Sequence, residues 1–192
     1  MIKTLVKIAK QLNEKNVQWA LGGSLMLLHH GLAEDVHDLD IMVATEDFWT
    51  ADAVLLALGV KNKKREENSP IYLTDHFSEY QIDGIDVDLM AGMQIQHEHG
   101  IYRYCFDELS NTEIKNVSDV TIHYTALEDW YVLYQLMPQR ILKVQAIEHH
   151  LTTQGINNPL LLERALRGTL PMSVKNRIEG LLYQSHPEYK VI

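Results

Sequence analysis

Two short segments alternate acidic and apolar residues, and this alternation constrains the fold more than any other feature of the chain. The first segment carries Asp38 and Asp40, and the second carries Asp86 and Asp88. Successive side chains of a β-strand point to opposite faces, so each segment predicts a strand with carboxylates on one face and aliphatic side chains on the other. If the two strands are neighbours in a sheet, three or four carboxylates converge on one patch.

Such a patch needs positive charge. Two unit charges about 4 Å apart interact by roughly 4 kcal/mol at an effective dielectric constant of 20. The cluster therefore repels itself unless cations bind there or protons are taken up. A site that offers only carboxylate oxygens suits magnesium or manganese, so we expect Mg²⁺ or Mn²⁺ as the cofactor.

A glycine-rich turn precedes the first acidic segment. Gly22, Gly23 and Ser24 follow an apolar segment that predicts a short strand, and they open a predicted helix. Glycine permits a tight turn and lets a phosphate approach the backbone, while the helix start offers N–H groups and a positive dipole end. A triphosphate at this turn, with metal held by the adjacent carboxylates, has the arrangement needed for in-line displacement at phosphorus.

The order and spacing of these motifs resemble those of a known superfamily. Residues 21–24 (Leu-Gly-Gly-Ser) and, after thirteen intervening residues, 38–41 (Asp-Leu-Asp-Ile) resemble the signature of the DNA polymerase β-type nucleotidyltransferase superfamily. Residues 87–90 resemble the strand that carries its third carboxylate. The stretch 76–85 is similar to small stand-alone prokaryotic members. The resemblance covers about residues 17–92 well and the helical tail only loosely.

This resemblance implies a fold and a reaction. The fold class is α/β (α+β), a small mixed β-sheet flanked by helices, with a C-terminal helical tail. The reaction is transfer of a nucleoside monophosphate from an NTP co-substrate to an acceptor hydroxyl, with release of pyrophosphate. The acceptor is a small molecule, a protein or an RNA end.

The resemblance also assigns roles by position. The phosphate-binding turn would be Gly22, Gly23 and Ser24, and the ligands of both metals would be Asp38 and Asp40.

Two residues compete for the role of third carboxylate. Asp88 matches the position in the superfamily strand, where it would complete the second metal site and help to activate the acceptor hydroxyl. Asp86 lies one strand step away on the same predicted face.

The phosphate charge needs further partners, because no arginine or lysine lies between Gly22 and Asp40. Arg140 and Lys143 are spaced to share a helix face and are candidates for binding the nucleotide phosphates. Similar tails in the superfamily supply such contacts. A solvated pair of charges is the alternative interpretation.

Periodicity predicts the remaining elements. Besides residues 38–43, strands are predicted over 17–21, 71–73, 76–82, 85–90, about 101–106 and 121–124. Helices are predicted over 2–15, 24–30 and 45–58, and helical spacing recurs from residue 127 to 182 with breaks near Pro138, Gly168 and Pro171. This pattern divides the chain into a nucleotidyltransferase-like α/β domain, 1–124, and a C-terminal helical region, 125–192.

Charge and cysteine content limit the partners and the compartment. The chain has 26 acidic and 17 basic residues, a formal net charge of −9, so we do not expect long nucleic acid or an anionic membrane as a partner. The single cysteine, Cys105, excludes a disulfide framework and favours the reducing cytoplasm. Lysines interrupt the apolar stretches at the N-terminus, which is not typical of a signal peptide. A partner protein or a second copy of the chain stays open.

Other interpretations of the same residues remain. A catalytically inactive module that binds nucleotide or a partner, such as a toxin–antitoxin component, would keep the fold, but it has no need of a self-repelling cluster. Metal-dependent hydrolysis of a phosphoester would use the same ligands and release phosphate.

Two further groups of side chains have a functional and a structural interpretation. His97 and His99 could present two imidazoles on one strand face, as in a zinc site, but no matched third ligand is apparent in the sequence, and a solvated loop is the structural interpretation. Trp130, Tyr131 and Tyr134 are spaced to stack on a nucleobase, although aromatic residues at helical spacing more often form core.

Overall fold

Among the described residues, strands and helices alternate as far as residue 125, and helices follow between residues 127 and 185. The computed structural model describes residues 1–62 and 70–185. Its strands are β1 (Trp19–Leu21), β2 (Asp38–Val43), β3 (Val60–Lys61), β4 (His76–Ile82), β5 (Ile85–Ala91), β6 (Gln94–His97), β7 (Gly100–Arg103), β8 (Asn111–Val117) and β9 (Val120–Thr125). Its α-helices are α1 (Ile2–Glu14), α2 (Gly23–His29), α3 (Phe48–Leu58), α4 (Leu127–Leu136), α5 (Ile141–Gln154), α6 (Pro159–Leu166) and α7 (Met172–Ser185).

The described residues form two compact units. The sheet unit contains residues 1–62, 74–93 and 105–125, and the helical unit contains residues 70–73, 94–104 and 126–185. The division into domains at residues 124 and 125 stays a prediction.

The sheet unit is built on a mixed sheet with the strand order β3-β4-β5-β2-β1-β9-β8. At its centre β2 runs parallel to β5 and antiparallel to β1, and β1 runs parallel to β9. β4 and β5 form an antiparallel hairpin. The predicted fold class, a mixed sheet flanked by helices, is confirmed.

The two faces of the central strands differ in character. Leu39 pairs with Val87, and Val87 pairs with Tyr80, so these three buried side chains share one face. The hydroxyl of Tyr80 donates a hydrogen bond to Asp52 of α3, which shows that α3 covers this face. Strand alternation then places the acidic residues of β2 and β5 on the opposite face.

The hairpin between β4 and β5 sets the register of the acidic strand. Its turn residues Asp83 and Gly84 have φ angles of 52° and 77°, the left-handed conformation that a two-residue hairpin turn of this kind requires. Ile82 pairs with Ile85 across the turn. The Asp-Gly signal in the sequence therefore predicted this hairpin correctly.

The helical unit has its own core, formed by helices α4 to α7 with the β6–β7 hairpin. Trp130, Tyr131 and Tyr134 are 3%, 0% and 3% exposed, so they are core residues and not a stacking platform for a base. The Tyr131 hydroxyl donates to Glu148, which also accepts from Arg177. None of the described helices has both the length and the apolar character needed to cross a membrane.

Four strand assignments differ from the sequence prediction, one of them being the two-residue strand β3, which was not predicted. Residues 71–73 form a single bridge, between Tyr72 and Ile95, in place of a strand. β6 and β8 were not predicted, because their sequences are largely polar. β8 is an edge strand of the sheet, where a polar sequence is stable because one side of the strand faces solvent.

The apolar face should carry much of the stability of the sheet unit. Leu39 is fully buried, so Leu39→Ala should lower the free energy of unfolding by about 3 kcal/mol through lost burial and the cavity left behind. Leu28→Ala, at a position that is 41% exposed, should cost about 0.5 kcal/mol or less. Urea denaturation of both variants measures the difference. Equal losses would contradict this account of the core.

Candidate active site

Strand pairing brings distant acidic residues together. In the parallel pair of β2 and β5, Asp38 is the partner of Asp86 and Asp40 is the partner of Asp88. On the other side of β5, Glu79 of β4 is the partner of Asp88. Paired residues point to the same face of a sheet, so all five acidic side chains share the face opposite α3.

Three of these carboxylates approach one another closely. Asp38, Asp40 and Asp88 each offer an oxygen within 4.8 Å of the others, and all three are partly buried. Among the residues that the structure describes, no other group of three or more potential metal ligands lies this close together. Asp86 is exposed and lies outside the group, so the geometry favours Asp88 as the third carboxylate.

The glycine turn lies directly against this group. The backbone N–H of Gly22 donates to the carbonyl oxygen of Asp40 at 2.9 Å. A Cβ atom added to Gly23 would lie 1.7 Å from Oδ2 of Asp40, and Gly23 has a φ angle of +59°. Any side chain at this position would therefore displace the Asp40 carboxylate. Ser24, which is partly buried, follows in the first turn of α2.

Burial and mutual repulsion change the acidity of the group. The pKa of Asp88 is raised to about 7, first because the side chain is desolvated and then because Asp40, Asp38, Glu79 and Asp86 are negative neighbours. Near neutral pH, Asp88 therefore takes up a proton when no cation is bound. A divalent cation would compete with that proton for the same oxygens.

Glu79 was not identified from the sequence. The signal was present, because a two-residue hairpin turn fixes the register and makes residue 79 the partner of residue 88. Its carboxylate extends the negative face beyond the three close aspartates.

Two basic candidates lie in the helical unit. Arg140 is exposed and precedes α5, and Nζ of Lys143 lies 4.9 Å from the ring centroid of Tyr134. Their contact with nucleotide phosphate stays a prediction.

The histidine pair does not form a metal site with a third ligand. Nε2 of His97 lies 3.0 Å from the carbonyl oxygen of Thr169, and Nε2 of His99 lies 3.2 Å from a carboxylate oxygen of Glu98. Neither histidine belongs to a group of three close ligands among the described residues.

Known proteins resemble this chain in sequence and in fold. A family model described as aminoglycoside-2''-adenylyltransferase matches residues 4–143. A solved structure from Thermotoga maritima, described as a nucleotidyltransferase, has 25% sequence identity and a TM-score of 0.58, and the match covers 79% of this chain and 92% of that chain. No curated protein sequence matches significantly.

Two solved antibiotic-modifying enzymes share the fold. ANT(2'')-Ia in complex with adenylyl-2''-tobramycin has 12% identity and a TM-score of 0.55, with 93% of this chain and 97% of that chain covered. The lincosamide antibiotic adenylyltransferase LnuA, lincomycin-bound, has 16% identity and a TM-score of 0.51, with 77% and 96% covered.

The raised pKa of Asp88 makes stability depend on pH. The metal-free folded chain holds a proton near neutrality that an unfolded aspartate, with a pKa of about 3.9, does not hold. Stability should therefore fall as the pH rises from about 4, where the unfolded aspartate loses its proton, to about 7, where the folded Asp88 loses its proton, and it should change little above that pH. Denaturation in a chelating buffer at several pH values gives the free energy of unfolding of the wild type and of Asp88→Asn. Subtracting one pH profile from the other removes the contribution of the histidines.

The matched control is Asp86→Asn, one strand step away and exposed. It should keep most of the pH dependence. Saturating Mg²⁺ should abolish that dependence in the wild type, because bound metal excludes the proton. An identical pH profile for the wild type and Asp88→Asn would contradict the assigned shift.

The close approach of Gly23 to Asp40 can be separated from backbone strain. Gly23 and Gly31 both have positive φ angles, but a Cβ on Gly31 would meet nothing within 4 Å. Alanine at either position should cost about 1 kcal/mol of conformational energy. Only Gly23→Ala should also weaken Mn²⁺ binding, by about tenfold or more, because it displaces the Asp40 carboxylate, which we expect to be a metal ligand. Calorimetric titration measures the Mn²⁺ affinity of both variants. Equal affinities in Gly23→Ala and Gly31→Ala would refute the contact between Gly23 and Asp40.

Proposed function

Because the chain belongs to the aminoglycoside-2''-adenylyltransferase family, we propose that it transfers a nucleoside monophosphate from a nucleoside triphosphate to a hydroxyl group of a small acceptor. Pyrophosphate is the second product. Its membership of the DNA polymerase β-type nucleotidyltransferases is shown by the family and by the structural relatives. The observation that carries the proposed reaction is the group of three close aspartates beside a glycine turn.

The proposed cofactor is Mg²⁺ or Mn²⁺, held by Asp38, Asp40 and Asp88. Three close, partly buried carboxylates fit a hard divalent cation, because such ions prefer oxygen ligands and neutralise repelling charges. When bound, such a cation offsets negative charge on the reacting phosphates.

The proposed nucleotide site is the turn at Gly22, Gly23 and Ser24. The N–H of Gly22 already donates a hydrogen bond to the carbonyl oxygen of Asp40, so the role that we propose for Gly22 is to stabilise the turn. The next N–H groups along the chain lie in the first turn of α2. N–H groups in the first turn of a helix have no acceptor within the helix. With the Ser24 hydroxyl, they are suited to the β- and γ-phosphates. The family name favours ATP as the nucleotide.

In the proposed reaction, the acceptor oxygen bonds to the α-phosphorus while the bond from that phosphorus to the leaving pyrophosphate oxygen breaks. The proton of the acceptor hydroxyl goes to a carboxylate, which we assign to Asp88. The superfamily resemblance gives this role to the third carboxylate, and Asp88 is the residue that lies close to Asp38 and Asp40.

We propose a cationic, hydroxylated small molecule as the acceptor. The chain carries a net charge of −9, and Asp86 and Glu79 extend the negative face beside the three aspartates. Such a surface attracts amines and repels long nucleic acids. The family name includes an aminoglycoside, an amine-bearing sugar. Arg140 and Lys143 stay proposed phosphate contacts on the basis of the superfamily resemblance, and the cytoplasm stays the proposed compartment because Cys105 is the single cysteine.

The reaction should stop when a metal ligand is lost. Asp38→Asn and Asp40→Asn should each reduce transfer by about 10³-fold or more, because they remove charge that holds metal against the phosphates. The assay incubates the protein with ATP, Mg²⁺ and tobramycin or lincomycin, and mass spectrometry detects the adenylylated acceptor and pyrophosphate. Thermal melts report whether the variants are folded.

A suitable control is Asp83→Asn in the hairpin turn, where asparagine tolerates the same positive φ angle. It should retain full activity. If Asp40→Asn remains active, the assignment is wrong. If the wild type binds ATP with Mg²⁺ and modifies no acceptor, the inactive binding module is favoured, and release of inorganic phosphate would instead indicate hydrolysis.

A further inference from the structure

β8 is an edge strand with an exposed apolar residue at its centre. Among the strands that the structure describes, β8 lies at one end of the sheet and pairs only with β9. It spans Asn111–Val117, whereas β3 at the opposite end spans Val60–Lys61. Ile114, in the middle of β8, is 63% exposed. An edge strand of this length presents backbone N–H and C=O groups that can pair with another strand.

The hairpin between β8 and β9 determines which backbone groups of β8 point to the open edge. Its turn residues Ser118 and Asp119 have φ angles of 51° and 63°, and Val117 pairs with Val120 across the turn. In a two-residue hairpin of this type the pair next to the turn is hydrogen-bonded, and pairs with and without hydrogen bonds then alternate. Every second residue of β8 therefore bonds to β9, and the residues between them, which include Ile114, direct their N–H and C=O groups to the open edge.

The side chains of β8 differ in character between the two faces of the sheet. Ile114 pairs with His123 and lines an open depression of about 590 Å³ on one face. Glu113 and Lys115 precede and follow Ile114, so they share the opposite face. Lys115 is exposed and forms no ion pair with a described residue. The edge therefore carries an acidic and a basic side chain on either side of an exposed apolar one.

The Glu113 carboxylate is held in position from within the chain. Nε2 of His29 lies 2.8 Å from one of its oxygens, and the His29 ring stacks on the ring of Tyr124 of β9 at a centroid distance of 4.1 Å. The side chain of Glu113 is still 29% exposed. A carboxylate accepts several hydrogen bonds, so Glu113 can meet an ammonium group from outside the chain as well as His29.

These charges select one pairing of β8 with a second copy of itself. In an antiparallel pair centred on Ile114, Glu113 of each copy lies opposite Lys115 of the other. A pair centred on residue 113 would place two copies of Glu113 opposite each other, and a pair centred on residue 115 would do the same with Lys115. Opposite charges in directly facing positions stabilise a strand pair, whereas like charges destabilise it. The register centred on Ile114 is therefore favoured over these two alternatives.

We propose that the chain forms a homodimer in which β8 pairs with β8 of a second copy, antiparallel about a two-fold axis at Ile114. The Ile114 N–H of each copy donates to the Ile114 carbonyl oxygen of the other, and the two sheets become continuous. The two Ile114 side chains meet on one face, and two Glu113–Lys115 pairs form on the opposite face. Both copies use the same patch, as a two-fold interface requires. Since one strand from each copy makes the contact, we expect a small interface and a micromolar dissociation constant.

Sedimentation of the full chain tests the dimer. The wild type should be dimeric at ~100 μM protein. Lys115→Glu places like charges opposite each other twice, so it should raise the dissociation constant of the dimer by about tenfold or more. The matched control is Lys3→Glu, which makes the same change of charge at an exposed position on α1 and should dimerise as the wild type does.

A mixture of two variants tests the register. Glu113→Lys alone should also weaken the dimer, because lysines then face each other. Mixed in equal amounts, Lys115→Glu and Glu113→Lys should form a heterodimer, because each acidic side chain of one variant then faces a lysine of the other. Thermal melts report whether each variant is folded, since Glu113→Lys also removes the contact with His29. The measurement on Lys115→Glu alone does not depend on Glu113→Lys being folded.

Amide hydrogen exchange locates the interface without any substitution. The N–H groups of Ile114 and Asn116 should exchange more slowly at high protein concentration than after dilution. The N–H of Lys115, which already bonds to β9, should not change. A wild type that stays monomeric, a Lys115→Glu variant that dimerises as the wild type does, folded variants that stay monomeric when mixed, or a dimer without slower exchange at Ile114 would overturn the proposal.

Discussion

Mutual repulsion among three carboxylates is the constraint on which the rest of this structure depends. Asp38, Asp40 and Asp88 are held within 4.8 Å because β2 and β5 are parallel partners in fixed register. The opposite face of the same strands buries Leu39 and Val87 completely. The apolar face resists separation of the strands, so the repulsion is relieved by proton or cation uptake and not by movement of the backbone. Apolar packing on one face of the strands therefore keeps the carboxylates of the opposite face close together despite their repulsion.

The glycine turn adds a second constraint, because the path of its backbone limits the position of the Asp40 carboxylate. Gly23 approaches the Asp40 carboxylate so closely that there is no room for a Cβ atom. The same turn is tied to the strand by the hydrogen bond from Gly22 to Asp40. A phosphate bound at the turn would thus lie beside the Asp40 carboxylate, the proposed metal ligand whose position the turn itself fixes. This local arrangement explains why the two motifs occur together and in this order along the chain.

Sequence reasoning identified the strands and the close aspartates through different kinds of information. Two-residue alternation predicted the strands, and the Asp-Gly turn predicted the hairpin register. The pairing of β2 with β5 was an assumption supported by the superfamily resemblance, because alternation alone does not say which strands are neighbours. Glu79 was not identified from the sequence, although the register of the hairpin makes it the partner of Asp88.

The distribution of charge implies that nucleotide and metal would bind together. No lysine or arginine lies between Gly22 and Asp40, and the sheet face at the site is acidic. A triphosphate that approaches this face without a cation would meet repulsion from several carboxylates. A divalent cation reverses the sign of that interaction, and linkage requires that the nucleotide raises the affinity for the cation by the same factor. The acidic site, unfavourable to phosphate by itself, would thus favour the metal–nucleotide complex over the free nucleotide.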